Sequence, residues 1–344
     1  MLAVSSLALP ALRSAYRVQQ ASLRLPLTWT RALLGPLVGD RAADPEAIAA
    51  LQREYAKLLE ADLANVERGA YPASLLFQMP VRNYATRLPW LLLDLPRTFR
   101  RFRERDYQDL PDDVDRKRFP AYFRRTFHWQ TDGYLSRRSA ELYDVGVELL
   151  FLGCADVMRR QVIPPMTRFA RSHRARPLRL LDVGCGTGRV LSQLATALPE
   201  QQYFGVDLSP FYLESARKTL RNVPEVTLVA DNAEHLPFRD GYFDCASSVF
   251  LFHELPRRAR RCAVNEMLRV LKPGGVLVIE DSAQYAEARD LTFFLESFPS
   301  QMHEPFYRDY LRDDLGALLA DAGFERVHVE RAWLSKVVSA RKPA

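Results

Sequence analysis

Residues 180–188 read Leu180-Leu181-Asp182-Val183-Gly184-Cys185-Gly186-Thr187-Gly188. The apolar run from Leu178 to Val183 predicts a buried strand, and the pattern after it predicts an amphipathic helix from Arg189. Three glycines at G-x-G-x-G spacing permit positive φ and let a ligand lie against bare backbone. A strand, a glycine turn and a helix start together make a niche for a nucleotide. The spacing is neither the G-x-G-x-x-G of a dinucleotide site nor the Gly-Lys-Ser/Thr of a phosphate loop. Asp182 instead puts a carboxylate at the mouth of the niche, which suits a cationic ligand better than a polyphosphate. On this stretch alone, an ordinary tight strand–helix turn is the alternative.

The elements that follow bring more acids to the same edge. Gln202–Val206 reads as a second strand and ends in Asp207, 19 residues after Gly188. That is about the distance a βαβ unit needs to set a second strand end beside the first. A carboxylate there can accept from both hydroxyls of a ribose. Ser209 and Pro210 read as cap and first residue of the next helix. Val226–Ala230 is a third strand, ending in Asp231-Asn232-Ala233-Glu234, a polar cluster able to read an adenine edge. Phe243–Phe250 and Gly275–Glu280 are a fourth and a fifth strand, with a glycine-closed turn at Leu271–Gly275 before the fifth. Between them, Arg257–Leu271 reads as a helix that covers the sheet and points its arginines outward.

In order and spacing, Asp182–Gly188, Gly205-Val206-Asp207, Ala230-Asp231, Phe243-Asp244 and Leu271–Gly275 form a signature. By it, residues 175–332 resemble the class I S-adenosylmethionine-dependent methyltransferases. The resemblance implies an α/β fold with a doubly wound, seven-stranded, Rossmann-like sheet, and S-adenosylmethionine as cofactor. It implies that Asp207 holds the ribose diol, with Leu208 beside it at the cofactor, and that Asp231, with Asn232 and Ala233 after it, reads the adenine. Asp182, Gly184, Cys185, Gly186 and Gly188 would receive the methionine part. No metal is expected.

Methyl transfer is an in-line displacement at a sulfonium, so the protein mainly orients two reactants. A weak acceptor such as a phenol also needs a base within hydrogen-bond reach. His253 is the candidate base, because it follows the fourth strand at the cofactor edge in Phe250-Leu251-Phe252-His253-Glu254-Leu255. The alternative is that His253 supports the next helix. Glu254 is read as structural.

The acceptor side is less legible. Residues 118–143 are rich in aromatic and polar groups, and His128, Trp129 and Tyr134, with Phe252, are candidate pocket residues. In related methyltransferases the segment before the first strand folds over the cofactor. The same aromatics could instead cement two domains. Residues 282–310 carry seven further aromatics and read as a lid. Apolar aromatic walls suit a lipophilic acceptor. The expected reaction is methyl transfer to an oxygen or carbon of a lipophilic or aromatic small molecule, quinone- or lipid-like. A protein or nucleic-acid methyltransferase and a non-catalytic cofactor-binding scaffold are the alternatives.

Composition bounds the rest. The 344 residues allow a sizeable domain and a smaller one: a mostly helical extension over 1–128 and a methyltransferase domain over 129–344. Asp44–Arg68 reads as one long helix, Asp309–Ala322 as another, and Phe324–Leu334 as the last strand or strands. Net charge is +6, and only residues 57, 117, 218, 272, 336 and 342 are lysine. Arginine bias of that kind is not taken as a nucleic-acid footprint, and nucleic acid is not expected as a partner. The four cysteines lack the paired spacing of a zinc site and fit a reducing compartment, the cytoplasm. No apolar run is long enough to span a bilayer. Residues 1–39 hold four arginines and no acid. An organelle transit peptide, a weak signal-like core at 1–12, a membrane-surface segment at Leu23–Val38 and a packed helix all stay open there.

Overall fold

Period-two alternation divides the central strands between two apolar layers. Leu180, Val276 and Val278 face one layer; Leu181, Val183, Leu277 and Ile279 face the other. The computed structural model describes residues 9–34, 43–79, 81–173 and 175–344. Its strands are β1 (Arg179–Val183), β2 (Gln202–Asp207), β3 (Val226–Ala230), β4 (Phe243–Val249), β5 (Leu271–Ser282), β6 (Glu325–Ala332) and β7 (Ser335–Arg341). They form a single seven-stranded sheet in the order β3-β2-β1-β4-β5-β7-β6. The first five strands are parallel, and β7 is antiparallel to both β5 and β6. This is the doubly wound α/β arrangement expected from the motifs. The chain moves outward from β1 through β2 to β3, then returns to β4 on the other side of β1. A crevice opens at the carboxyl ends of the strands where those connections diverge.

The helices before the sheet are α1 (Leu9–Leu34), α2 (Pro45–Glu67), α3 (Val81–Glu104), α4 (Arg137–Leu150), α5 (Ala155–Arg159) and α6 (Ile163–Ser172). Within it come α7 (Arg189–Ala197), α8 (Pro210–Thr219), α9 (Arg257–Val270), α10 (Thr292–Gln301), α11 (Tyr307–Tyr310) and α12 (Leu315–Asp321). One layer is covered by α7 and α8 with side chains of α2, α5 and α6, the other by α9 and α12.

The expected helix at 44–68 is α2, capped by Asp44, whose carboxylate accepts from Ala47 N at 2.7 Å. Its inward face near the start is made by the small residues Ala47 and Ala50, which are buried, while Ile48 is 42% exposed. Helix α3 went unread because Pro89 and Pro96 lie inside it. The expected helix at 309–322 is split into α11 and α12, with Asp314 capping the second. β5 starts at Leu271 rather than Gly275, with a register irregularity opposite Phe243–Cys245. The chain end is a β6–β7 hairpin. Within the segment 1–39, residues 1–8 and 35–39 lie outside the described residues. None of the described helices is long and apolar enough to cross a membrane.

A buried ion pair fastens the first helices to this core. The Asp62 carboxylate of α2 accepts from Arg160 Nε at 2.7 Å and Nη2 at 2.5 Å, from Tyr71 Oη at 2.5 Å, and from Tyr16 of α1. All four side chains are almost fully buried. Removing the carboxylate would leave Arg160 charged, buried and unpaired. Asp62→Ala is expected to cost about 3–5 kcal/mol of stability in urea denaturation, as broken buried pairs do. A loss under about 1 kcal/mol would mean that the pair contributes no more than an exposed one.

Candidate active site

The glycine turn is folded by backbone contacts that leave its outer face bare. Gly184 N and Cys185 N both donate to Val206 O, at 2.8 and 3.0 Å. Gly184, Gly186 and Gly188 all have positive φ. A Cβ on Gly188 would come within 2.9 Å of Leu220 Cδ1, so that glycine sets the approach of α7 to α8. A Cβ on Gly186 would meet nothing within 4 Å, because this glycine faces the crevice.

Asp207 closes the second strand end. Its Oδ2 accepts from Gly186 N and its Oδ1 from Ser209 N, both at 2.8 Å. Burial pushes its carboxyl up to about 6. At the third strand end, Asp231 N donates to Asp207 O at 3.2 Å, and Asn232 N returns to Asp231 Oδ1 at 2.8 Å. Tyr122 Oη donates to Glu234 at 2.7 Å, tying the segment before α4 to this edge.

A cavity runs along these groups. Gly184, Gly186, Asp207, Leu208, Asp231, Asn232 and Ala233 line its strand-end side. Three of the expected cofactor residues sit beneath that lining. Asp182 is 1% exposed and accepts from Ser247 Oγ at 2.7 Å, and burial pushes its carboxyl up to about 7. Cys185 packs under Gly205, where an added Cβ would lie 2.8 Å from its Sγ. Gly188 packs on Leu220.

The opposite wall is aromatic. Phe123, Tyr134, Tyr143 and Tyr212 line it, with Tyr134 at 5.2 Å from Tyr212 and 5.6 Å from Phe123, ring centre to ring centre. Tyr122, Val206, Val249, Phe250, Leu251, Glu254 and Leu255 complete the lining. Among the described residues that line the cavity there is no arginine or lysine. Tyr134, expected in the pocket, donates its hydroxyl to Glu254.

The other acceptor-side candidates lie behind this wall. Phe252 is fully buried in the apolar layer with Phe243 and Met267. Trp129 is 3% exposed and donates Nε1–H to Gln301 O at 3.0 Å. His253 does not face the cavity directly. Its Nδ1 lies 2.6 Å from Asp281 Oδ1, and its Nε2 lies 4.0 Å from Glu254 Oε1. Burial opposes its charge, but the neighbouring carboxylates of Asp281 and Glu254 together outweigh burial and hold its pKa above the ordinary imidazole value. His128 stands on the far side of Glu254, with Nε2 at 3.4 Å from Glu254 Oε1 and Nδ1 at 3.0 Å from Glu304 Oε1.

Glu254, read from sequence as structural, is thus the acid of the post-β4 turn that lines the cavity. Glu304 was missed altogether. No local spacing links His128 or Glu304 to the adjacent pair His253-Glu254; only the fold brings them together. A shallower concavity lined by Leu268, Gly323 and Lys342 is at the opposite end of β5, away from these groups.

Comparison with known proteins agrees with the motifs. A family model described as a methyltransferase domain matches residues 180–275. A malonyl-acyl-carrier-protein O-methyltransferase of Geobacter sulfurreducens is 35% identical over 162 residues, which cover 44% of this chain and 58% of that protein. A ubiquinone/menaquinone biosynthesis C-methyltransferase of Yersinia pestis is 31% identical over 209 residues, covering 55% of this chain and 80% of that protein. Among solved structures, the CurJ carbon methyltransferase aligns over 60% of each chain with a TM-score of 0.47 and 17% identity.

The Asp207 geometry makes a direct prediction. Charge-assisted bonds to a ribose diol are worth about 1.5–3 kcal/mol, so Asp207→Ala should weaken S-adenosylmethionine binding roughly 10–100-fold in calorimetry. Wild-type affinity should also weaken as the pH falls through about 6, where the buried carboxylate takes up its proton. Unchanged affinity in the variant would remove Asp207 from the cofactor site.

Proposed function

We propose an acceptor class for a chain that belongs to the class I S-adenosylmethionine-dependent methyltransferases: a lipophilic phenol or quinol, methylated on ring carbon or oxygen. The observation that carries this reading is the make-up of the cavity. Its strand-end side is acidic and glycine-lined, and its other side is a wall of tyrosine and phenylalanine with one carboxylate, Glu254.

In this reading Asp207 and Leu208 hold the ribose, Asp231 to Ala233 hold the adenine, and Gly184 and Gly186 receive the methionine part. Asp182, Cys185 and Gly188 shape the turn from below. The sulfonium carries the activated methyl. The aromatic wall stacks the acceptor ring and excludes water, so that the attacking atom is aligned with the methyl–sulfur bond. When bound, S-adenosylmethionine would supply that methyl to the acceptor's electron pair and would leave as the neutral thioether. The acceptor's proton leaves toward Glu254, the carboxylate on the wall. His253, which the sequence offered as the base, is proposed as the positioning partner of Glu254, itself fixed by Asp281.

The two relatives suggest different acceptors: a carbon in ubiquinone/menaquinone biosynthesis in one, an oxygen of malonyl-acyl-carrier protein in the other. The absence of arginine or lysine among the lining residues favours the ring. An anionic carboxylate acceptor would meet Glu254 without a cation to hold it.

A lipophilic acceptor is met at a bilayer surface. Trp29 of α1 and Trp90, Leu92 and Leu93 of α3 are each more than half exposed, as a membrane-contacting face requires. We propose peripheral membrane contact through these helices. Trp90→Ala combined with Leu93→Ser should reduce co-flotation with anionic liposomes while leaving S-adenosylmethionine binding intact; equal flotation would sink the membrane contact.

The reaction is tested with methyl-labelled cofactor and a panel of short-chain quinols, malonyl-acyl-carrier protein and bulk RNA. Label is expected in the quinol fraction. Glu254→Gln should then lower kcat about 10²–10⁴-fold, the usual range for a lost proton acceptor, without changing cofactor affinity. Label only in the acyl or RNA fraction would overturn the acceptor class.

A further inference from the structure

The side chains around Glu254 number more than methyl transfer needs. We propose that His128, His253, Glu254 and Glu304 bind one divalent first-row transition-metal ion. The proposal is independent of which acceptor is methylated.

Each of the four offers one ligand atom, and these atoms all lie within 4.8 Å of one another. Bonds of about 2.0–2.2 Å to a four-coordinate ion set ligand–ligand edges at roughly 3.3–3.6 Å. The distances include 3.0 Å from His128 Nδ1 to Glu304 Oε1 and 4.0 Å from His253 Nε2 to Glu254 Oε1; the other ring nitrogen of His128, Nε2, lies 3.4 Å from Glu254 Oε1, and one of the two nitrogens is the ligand. Small side-chain adjustments close the shell. Two imidazole nitrogens with two carboxylate oxygens suit zinc, cobalt, manganese or iron, rather than the all-oxygen shells of magnesium and calcium.

The surroundings are those of a ligating set. His253 Nδ1 is held by Asp281 at 2.6 Å, which fixes the tautomer and leaves Nε2 facing the cluster. Asp281 is itself held by Phe252 N at 2.6 Å and Ser282 N at 2.7 Å. The Glu304 side chain is fully buried, yet its Oε2 has no hydrogen-bond partner. His128 Nδ1, though near Glu304, lacks hydrogen-bond geometry with it. Orphaned polar atoms of this kind are expensive in an interior, and a cation between the two carboxylates would satisfy them. The backbone is strained at the same place: His128 and Trp129 have φ of 51° and 60°. Non-glycine residues persist there only when the surroundings hold them.

An ion so held joins three chain segments that are remote in sequence: the approach to α4, the turn after β4, and the end of α10. All three flank the aromatic side of the cavity. The ion acts as a clip, fixing the Glu254 carboxylate and the segment that carries Tyr134.

The test uses untagged full-length protein stripped with a chelator and titrated with Co²⁺, read by visible absorption and calorimetry. One equivalent is expected to bind with d–d bands of nitrogen–oxygen ligation. Glu304→Gln and His128→Ala should each weaken that binding roughly tenfold or more, as lost metal ligands or their supports do. His328→Ala, on the exposed edge strand β6, should not. X-ray absorption of the zinc-loaded wild-type protein should show imidazole scattering, a readout that needs no variant to fold. No saturable binding, binding undiminished in both variants, or a spectrum without imidazole would overturn the site. Cofactor affinity measured on the same stripped protein reports on the methyltransferase reading separately.

Discussion

Strand β1 has parallel neighbours on both sides, and the chain reaches them by leaving in opposite directions. That single constraint opens the crevice at the strand ends. The glycine turn is the first connection out of β1, Asp207 ends the neighbour on one side, and Glu254 follows the neighbour on the other. The helices and hairpin that flank the sheet close its apolar faces and leave this edge for chemistry. The Asp62–Arg160 pair extends the same logic to the first helices, which share an apolar layer with β1 and β5.

The edge is rich in buried acid. Burial pushes Asp182 up to about 7, Asp207 to about 6, and Glu280 and Glu304 to about 8. Such carboxyls are held with their charge poorly solvated, and a nearby cation relieves that cost. A sulfonium cannot shed its charge, and in the proposed reading it lies on the glycine side of the crevice. On the aromatic side, the histidines and a bound ion would offset Glu254 and Glu304. Both halves of the site therefore follow from one electrostatic condition imposed by the fold.

The strand ends and glycine turn of the half proposed to hold the cofactor were legible in the sequence because their signals are local. A strand, a glycine turn and an acid at the next strand tip each lie within a few residues, and their spacing is fixed by the βαβ unit. The central strands were equally readable from the apolar runs. The aromatic half was not, because its geometry depends on contacts between remote segments. His128, Glu254 and Glu304 come together only after residues 118–136 and 282–310 fold against each other. His253 was singled out for the right neighbourhood, but the side chain that reaches the cavity is the next one along. Helix α3 was hidden for a different reason, since two prolines break the helical pattern that its other residues keep.

The most direct measurement is a crystal structure with S-adenosylhomocysteine and a short-chain quinol. The expected result has the ribose hydroxyls on Asp207, the adenine beside Asp231 and Asn232, and the quinol against Tyr134 and Tyr212 with its hydroxyl facing Glu254. A quinol bound away from the aromatic wall, or a cofactor sulfur turned away from Glu254, would contradict the shared cavity on which the proposed chemistry rests.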